Sequence, residues 1–235
     1  MFDNSGSSVL VTFDRTLFMD SSAGFPVAIK PDCTAVLATL ASLGTGPQCA
    51  FTSLTTLAIT LGAAPSLLPF PAIPSTITLK ANAIANAAQT ATYAASTGGV
   101  FSAQPPSNPA TPVAVLVAPS IVGSCSALLL DGSRSFGFAL RAGAFSWSLL
   151  SLSPANAAHH AAVQAILSAT NVGGNSSLVQ LAAGDLLAGT QYKFSLVVTN
   201  FLQQSSAPVT ATVFKDFRSL PELVLQAPAS VYRSQ

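Results

Sequence analysis

The stretch from Gly189 to Asn200, GTQYKFSLVVTN, restricts the fold more than any other part of the chain. Tyr192, Phe194, Leu196 and Val198 alternate with Lys193, Ser195, Val197 and Thr199. A two-residue period is that of an extended strand with one buried face. The same alternation recurs at Val9, Val11 and Phe13, at Leu57, Ile59 and Leu61, and at Ile77 and Leu79. Phe145, Trp147 and Leu149 repeat it with Ser146 and Ser148 opposite, and Val209, Ala211 and Val213 predict a last strand. Val115 and Val117 begin a further strand, and Leu128 to Leu130 ends another at the turn Asp131-Gly132-Ser133. Only the Ala-rich residues 157–170 favour helix, and a short one is expected there. Many short strands with turns between them predict an all-β fold of sandwich type.

Residues 63–75 carry Pro65, Pro69, Pro71 and Pro74, which rule out helix there and disfavour a central strand. Residues 98–112 (GGVFSAQPPSNPATP) form the strongest linker-like stretch, and a domain boundary is placed within it. The expected division is a first β-sandwich module over 1–111 and a second over 112–218. A weak repeat extends the pattern: PVAVLVAP from Pro112 and PELVLQAP from Pro221 share their proline-to-proline spacing. Residues 219–235 are thus expected to be the first strand of an incomplete third module, a linker, or an extra edge strand on the second.

Half the residues are hydrophobic and only 7% are charged, against about a quarter in ordinary globular domains. The surface must therefore be built largely from Ser, Thr, Ala, Gln and Asn, which suits a sugar-covered secreted protein or one packed in an assembly. With a net charge of +1 and basic residues scattered singly, no stripe exists to neutralise a phosphate backbone, so nucleic acid is excluded as a partner. Residues 112–130 are apolar enough to raise a membrane span. They are cut by Pro119, Ser120, Gly123, Ser124 and Ser126, and are expected to form two short strands and a turn. The opening MFDNSGSSV lacks a basic segment followed by an apolar one, so no secretory signal is expected, and an exported chain would be a piece of something longer.

With these strands in place, three segments of the second half carry a family resemblance: CSALLLDGSRSFG from Cys125, FSWSL from Phe145, and LLAGTQYKFSLVVTNF from Leu186. They resemble the receptor-for-egg-jelly (REJ) region of polycystin-1-like proteins, which is related to the polycystic-kidney-disease (PKD) repeat. In the first half, Cys33, Leu43-Gly44 and Cys49-Ala50-Phe51 are similar to the amino-terminal part of REJ regions. The resemblance implies tandem immunoglobulin- or fibronectin-III-like sandwiches, an extracellular or ciliary-surface location and a place on a large membrane receptor. The acidic cluster that often follows the Asp-x-Ser-x-Ser turn of PKD repeats is missing, so calcium binding does not carry over.

The residues themselves give each site a bland role first. Trp147 is the only Trp and sits at strand period, as a core anchor between two sheets does. Tyr192 follows Leu186-Leu187-Ala188-Gly189 at the place of a tyrosine corner, whose hydroxyl bonds back to upstream backbone. The carboxylates Asp3, Asp14, Asp20, Asp32, Asp131, Asp185, Asp216 and Glu222 form no motif, and Asp131 and Asp185 are turn residues. His159 and His160 diverge on a helix and have no Cys or acid at metal spacing. No Gly-x-Ser-x-Gly elbow offers a nucleophile, so neither catalysis, metal nor cofactor is expected.

Cys33 and Cys49 enclose a loop for which a bridge would stabilise the fold by roughly 3 kcal/mol, at a loop length of about 15 residues. Cys125 is left over, either buried and inert or paired with Cys33, Cys49 or another module, and the sequence does not fix the connectivity. Asn175-Ser176-Ser177 is the single N-glycosylation pattern, and Ser and Thr near prolines suit O-linked sugar. The expected function is an extracellular structural or adhesion module that contacts other proteins, further modules of its own chain, or glycans. The alternatives are a subunit of an extracellular filament and a carbohydrate-binding accessory sandwich of an enzyme.

Overall fold

The computed structural model describes residues 1–14, 32–81, 83, 98–171 and 176–218. The expectations for residues 219–235, Asn175, Asp20 and Glu222 lie outside the described residues. Among the described residues strand dominates, in four sheets, with one long helix and short helical turns. The fold is mostly β, as the alternations require.

The first core lies between two sheets. Strands β1 (Ser8–Thr12), β2 (Gln48–Ser53) and β3 (Thr56–Thr60) are antiparallel in the order β1-β3-β2, with β2 and β3 joined as a hairpin. Their period-2 residues Val9, Val11, Cys49, Leu57 and Ile59 are buried together with Leu67 and Ile77. The second sheet pairs β4 (Thr76–Leu79) with β5 (Gly99–Ser102), so the linker-like stretch begins with a strand. Those four residues, Gly-Val-Phe-Ser, contain no proline; the prolines that suppress pairing start at Pro105.

A single-turn helix α1 (Cys33–Val36) starts where the Asp32 carboxylate accepts from the Thr34 amide at 3.0 Å. Its first residue is bridged to β2 by the Cys33–Cys49 disulfide, with Cα atoms 5.1 Å apart. Both half-cystines are buried in the first core. Reduction of this bridge is therefore expected to lower the stability of the first core by about 3 kcal/mol, the loop-closure value for this separation. Urea unfolding with and without a thiol reductant checks it, and coincident midpoints would show that the bridge does not constrain the unfolded chain.

The second core holds β6 (Ile121–Val122), β7 (Leu128–Asp131), β8 (Ala144–Ser153), the helix α2 (Ala157–Asn171), β9 (Leu178–Leu181), β10 (Thr190–Thr199) and β11 (Val209–Lys215). One sheet runs β6-β11-β10-β8, with β6 parallel to β11 and the remaining pairs antiparallel. The other pairs β7 with β9. Leu128, Leu130, Val179 and Leu181 from the smaller sheet share a core with Trp147, Tyr192, Phe194 and Leu196 from the larger. The β8–β10 register shifts between Lys193 and Phe194, which face Ser151 and Leu149, and leaves Leu150 half exposed at 50%.

The helix α2 spans fifteen residues, longer than the short helix expected, and Val163 and Leu167 seat it in the second core. The strand expected at Val115 and Val117 reduces to isolated bridges, Val113 to Phe136 and Val117 to Asp131. The Ser135 hydroxyl occupies the Val115 amide at 3.0 Å, in the place of a ladder partner. Among the described residues no helix is long and apolar enough to cross a membrane, which says nothing of a β-barrel.

Candidate functional site: the junction between the two cores

Residues 136–145, FGFALRAGAF, form an apolar run broken by one charge, Arg141. Ala139 and Leu140 before it have φ of 50° and 62°, a left-handed backbone that non-glycine residues adopt at a cost of about 1–2 kcal/mol each. Such strain persists only where the surroundings over-determine it. Here it aims Arg141 out of the β7–β8 loop and into the first core's boundary.

The guanidinium makes two bonds across the junction. Nη2 donates to the Leu67 carbonyl at 2.7 Å, and Nη1 to the Gly6 carbonyl at 3.3 Å. It lies 3.6 Å from the Phe201 ring centroid and 5.9 Å from that of Phe2, and the two rings meet edge to face at 5.7 Å. A planar, weakly hydrated cation suits this stacked and hydrogen-bonded place better than an ammonium would. Burial lowers the Arg141 pKa to about 10, so the group remains a cation at neutral pH, and its buried Nε lacks a partner.

Two further contacts cross the same junction, from Asn200 to Ala110 and from Phe201 to Gly6, and a tie from Ala110 to Asn4 within the first unit anchors the first of them. The buried Asn200 side chain donates to the Ala110 carbonyl at 3.0 Å, while its oxygen accepts from the Leu202 and Gln204 amides at 3.0 Å each. Ala110 in turn donates its amide to the Asn4 carbonyl at 2.7 Å, and the Asn4 side chain accepts from the Asn108 amide. Gly6, at φ 74°, has Phe201 where a Cβ would stand, with ring atoms only 2.5 Å away. Beside the junction, Leu68 to Ala72, Pro105, Pro106, Pro109 and Phe201 to Gln204 border an open groove of about 580 Å³. Phe70, 52% exposed, stands at its wall.

The residues singled out in the sequence lie elsewhere. Trp147 is 1% exposed and its Nε1 donates to the Ser176 carbonyl at 3.0 Å. The Tyr192 hydroxyl accepts from the Leu187 amide at 2.7 Å and contacts His159 Nε2 at 2.8 Å; burial raises its pKa. Cys125 is an exposed free thiol, not a buried one, and bridges to neither Cys33 nor Cys49. Lys215 is buried beside it, bonded to the Ser126 carbonyl at 2.8 Å, and burial lowers its pKa.

Carboxylates are spread over turns. Asp3 accepts from the Ser8 amide, Asp131 from Ser133, Asp185 from Ala182 and Asp216 from Arg218. The Ser133 and Thr34 hydrogen bonds hold the Asp131 and Asp32 carboxyls below the ordinary range. Among the described residues, no three His, Cys, Asp or Glu side chains gather as a metal site would need. Sequence reasoning passed over Arg141 and Asn200. The one available signal was a lone cation inside an apolar run.

No protein-family model and no curated protein sequence matches the chain. A solved structure is similar to part of it, described as a nucleoside hydrolase-related hypothetical protein from Saccharophagus degradans associated with carbohydrate metabolism. The likeness covers 46% of this chain and 26% of that one, at 13% identity and a TM-score of 0.29. So slight a likeness bears on neither fold nor function.

Proposed function

We propose that this chain is an extracellular structural or adhesion segment in which two sandwich modules are held at a fixed angle to present contact surfaces. The observation that carries it is the Arg141 junction: a half-buried cation of the second unit, stacked on Phe201 and bonded to two carbonyls of the first, resists hinge motion between the cores. The second module is of immunoglobulin or fibronectin-III type on this reading. Its support is the parallel β6–β11 pair, the smaller β7–β9 sheet sharing the core, the indole at its centre and the Tyr192 hydroxyl bonded upstream. The first unit has a different strand order, so the tandem reading rests on two sandwiches of unlike topology.

The Cys33–Cys49 disulfide suits an oxidising compartment, and the scarcity of charge suits a glycosylated or assembled surface. Placement in a polycystin-1-like or ciliary-surface receptor rests on the resemblance of Cys125-containing, Trp147-containing and Tyr192-containing segments to REJ regions. Non-catalytic action belongs to this reading, supported by Asp3, Asp32, Asp131, Asp185 and Asp216, each bonded to a nearby backbone amide. Small-angle scattering of the whole chain is expected to give a monodisperse, elongated particle. A radius of gyration near the roughly 18 Å of a compact chain of this length would overturn it.

A further inference from the structure

The groove beside the junction is bordered by both units: Leu68 to Ala72 and three prolines of the first, Phe201 to Gln204 of the second. Its volume of about 580 Å³ falls within the roughly 300–1,000 Å³ of ligand sites, which favour such boundaries. Its walls are fixed before anything binds. The Phe70 amide donates to the Ala103 carbonyl at 2.8 Å, the Asn108 amide to the Asn4 side chain, and Asn200 to the Ala110 carbonyl. The groove is continuous with the junction, because Phe201 borders it and also lies under the Arg141 guanidinium.

The lining decides what chemistry fits. None of the described residues that border the groove is charged, so a charged ligand would lose hydration without gaining a partner. Five of the twelve are prolines, Pro69, Pro71, Pro105, Pro106 and Pro109, which have no N–H. The amides of Leu68, Phe70, Ala72, Leu202, Gln203 and Gln204 are already bonded within the chain. An added β-strand needs a row of open donors along its neighbour, and neither group supplies one. A sugar presents several hydroxyls per ring, against two side-chain amides here, one of which already donates to the Leu202 carbonyl. What remains is apolar ring surface with a donor at its rim. Phe70 stands 52% exposed. Gln203, exposed and held at φ 60°, carries an amide with no partner among the described residues, and backbone strain of this kind collects at ligand sites.

We infer that this groove is a recognition site for an uncharged, proline-rich peptide in the polyproline II conformation. Such a segment is poor in donors and rich in acceptors: its prolines lack N–H, and its solvated carbonyls are open to the Gln203 amide. Its pyrrolidine rings pack on Phe70 and Phe201, the mode in which proline-rich segments dock on aromatic-lined grooves. Both surfaces are stiff before they meet, so little conformational freedom is lost on binding. An occupant touches both units and opposes their separation. The inference goes beyond the adhesion reading, which needs fixed geometry but no particular ligand.

The probe is a capped, fluorophore-labelled oligoproline of about ten residues, three turns of polyproline II, titrated into the full chain by fluorescence anisotropy. Saturable binding is expected, weakened at least about tenfold by Phe70→Ala, which removes the exposed ring. Gln203→Gly removes the donor while suiting the left-handed backbone, and is expected to weaken binding about threefold or more. Ile121→Ala, at a half-exposed apolar residue of β6 outside the groove, is expected to bind as the wild type does. A wild type that does not bind oligoproline overturns the inference, as does binding unchanged in either groove variant. Tighter binding of a capped alternating Thr-Val peptide of the same length, or of maltohexaose, also overturns it, because the groove then reads a strand or a sugar. Should Phe70→Ala not fold, Gln203→Gly decides alone.

Discussion

Arg141→Ala is expected to split the unfolding of this protein into two transitions. The side chain comes from the β7–β8 loop of the second core, yet its hydrogen bonds end on Gly6 and Leu67 of the first unit. Truncation leaves both carbonyls without their cationic donor, and a hydrogen bond to a charged group contributes about 1.5–3 kcal/mol. The stacked Phe201 face adds roughly 1–2 kcal/mol when desolvated. Against these stands the desolvation that lowers the Arg141 pKa to about 10, so a net loss of about 3 kcal/mol is expected at the junction. Calorimetry should then show two peaks where the wild type shows one, with small-angle scattering reporting a hinge. Arg141→Lys keeps the charge but not the planar fork, and should fall between the two. One unchanged transition in Arg141→Ala would show that the Asn200–Ala110 bond and the Gly6–Phe201 contact hold the junction alone.

What the sequence displayed and what it hid divide along a physical line. The period-2 ladders were legible because alternation records burial residue by residue. β10 keeps Tyr192, Phe194, Leu196 and Val198 inside, and β8 does the same with Phe145, Trp147 and Leu149. The helix over residues 157–170 was legible from its alanines. Pairing is another matter, because it depends on partners far along the chain. Nothing local distinguishes the Gly99–Ser102 strand from the proline-rich linker it opens, and nothing in Val115-Leu116-Val117 announces that a serine hydroxyl will take its amide.

The junction and the hydrogen bonds between α2 and β8 were hidden for the same reason. Arg141 acts on residues 74 and 135 positions away, and Asn171 on one 24 positions away. Each is a polar side chain whose role is to satisfy someone else's backbone, and the sequence does not show which backbone lies opposite. His160 is instructive. Its lack of metal-ligand spacing was readable, but its contact with Leu149 was not, because the strand it faces was known only as a pattern.

Trp147→Ala is expected to cost about 4 kcal/mol, within the range measured for removing a large buried side chain. The indole is 1% exposed between the two sheets of the second core, packed where Leu128, Leu130 and Val179 meet Leu196. Gly132 lies against it, with a hypothetical Cβ 3.2 Å from the ring and 2.9 Å from Leu196, so the surroundings are too close-packed to fill the space by a small shift. Loss of Nε1 also strands the Ser176 carbonyl. A domain held by 5–15 kcal/mol loses a large part of its stability at one stroke. Trp147→Phe, which keeps a ring but not the N–H, should lose less than half as much. The damage should stay local, because Trp147 belongs to the second core alone. Amide exchange is expected to rise across β7 to β11, while β1, β2 and β3 remain protected behind the Cys33–Cys49 bridge. A loss under about 1 kcal/mol by urea unfolding followed in the far ultraviolet would mean that the two sheets close without the indole as their centre.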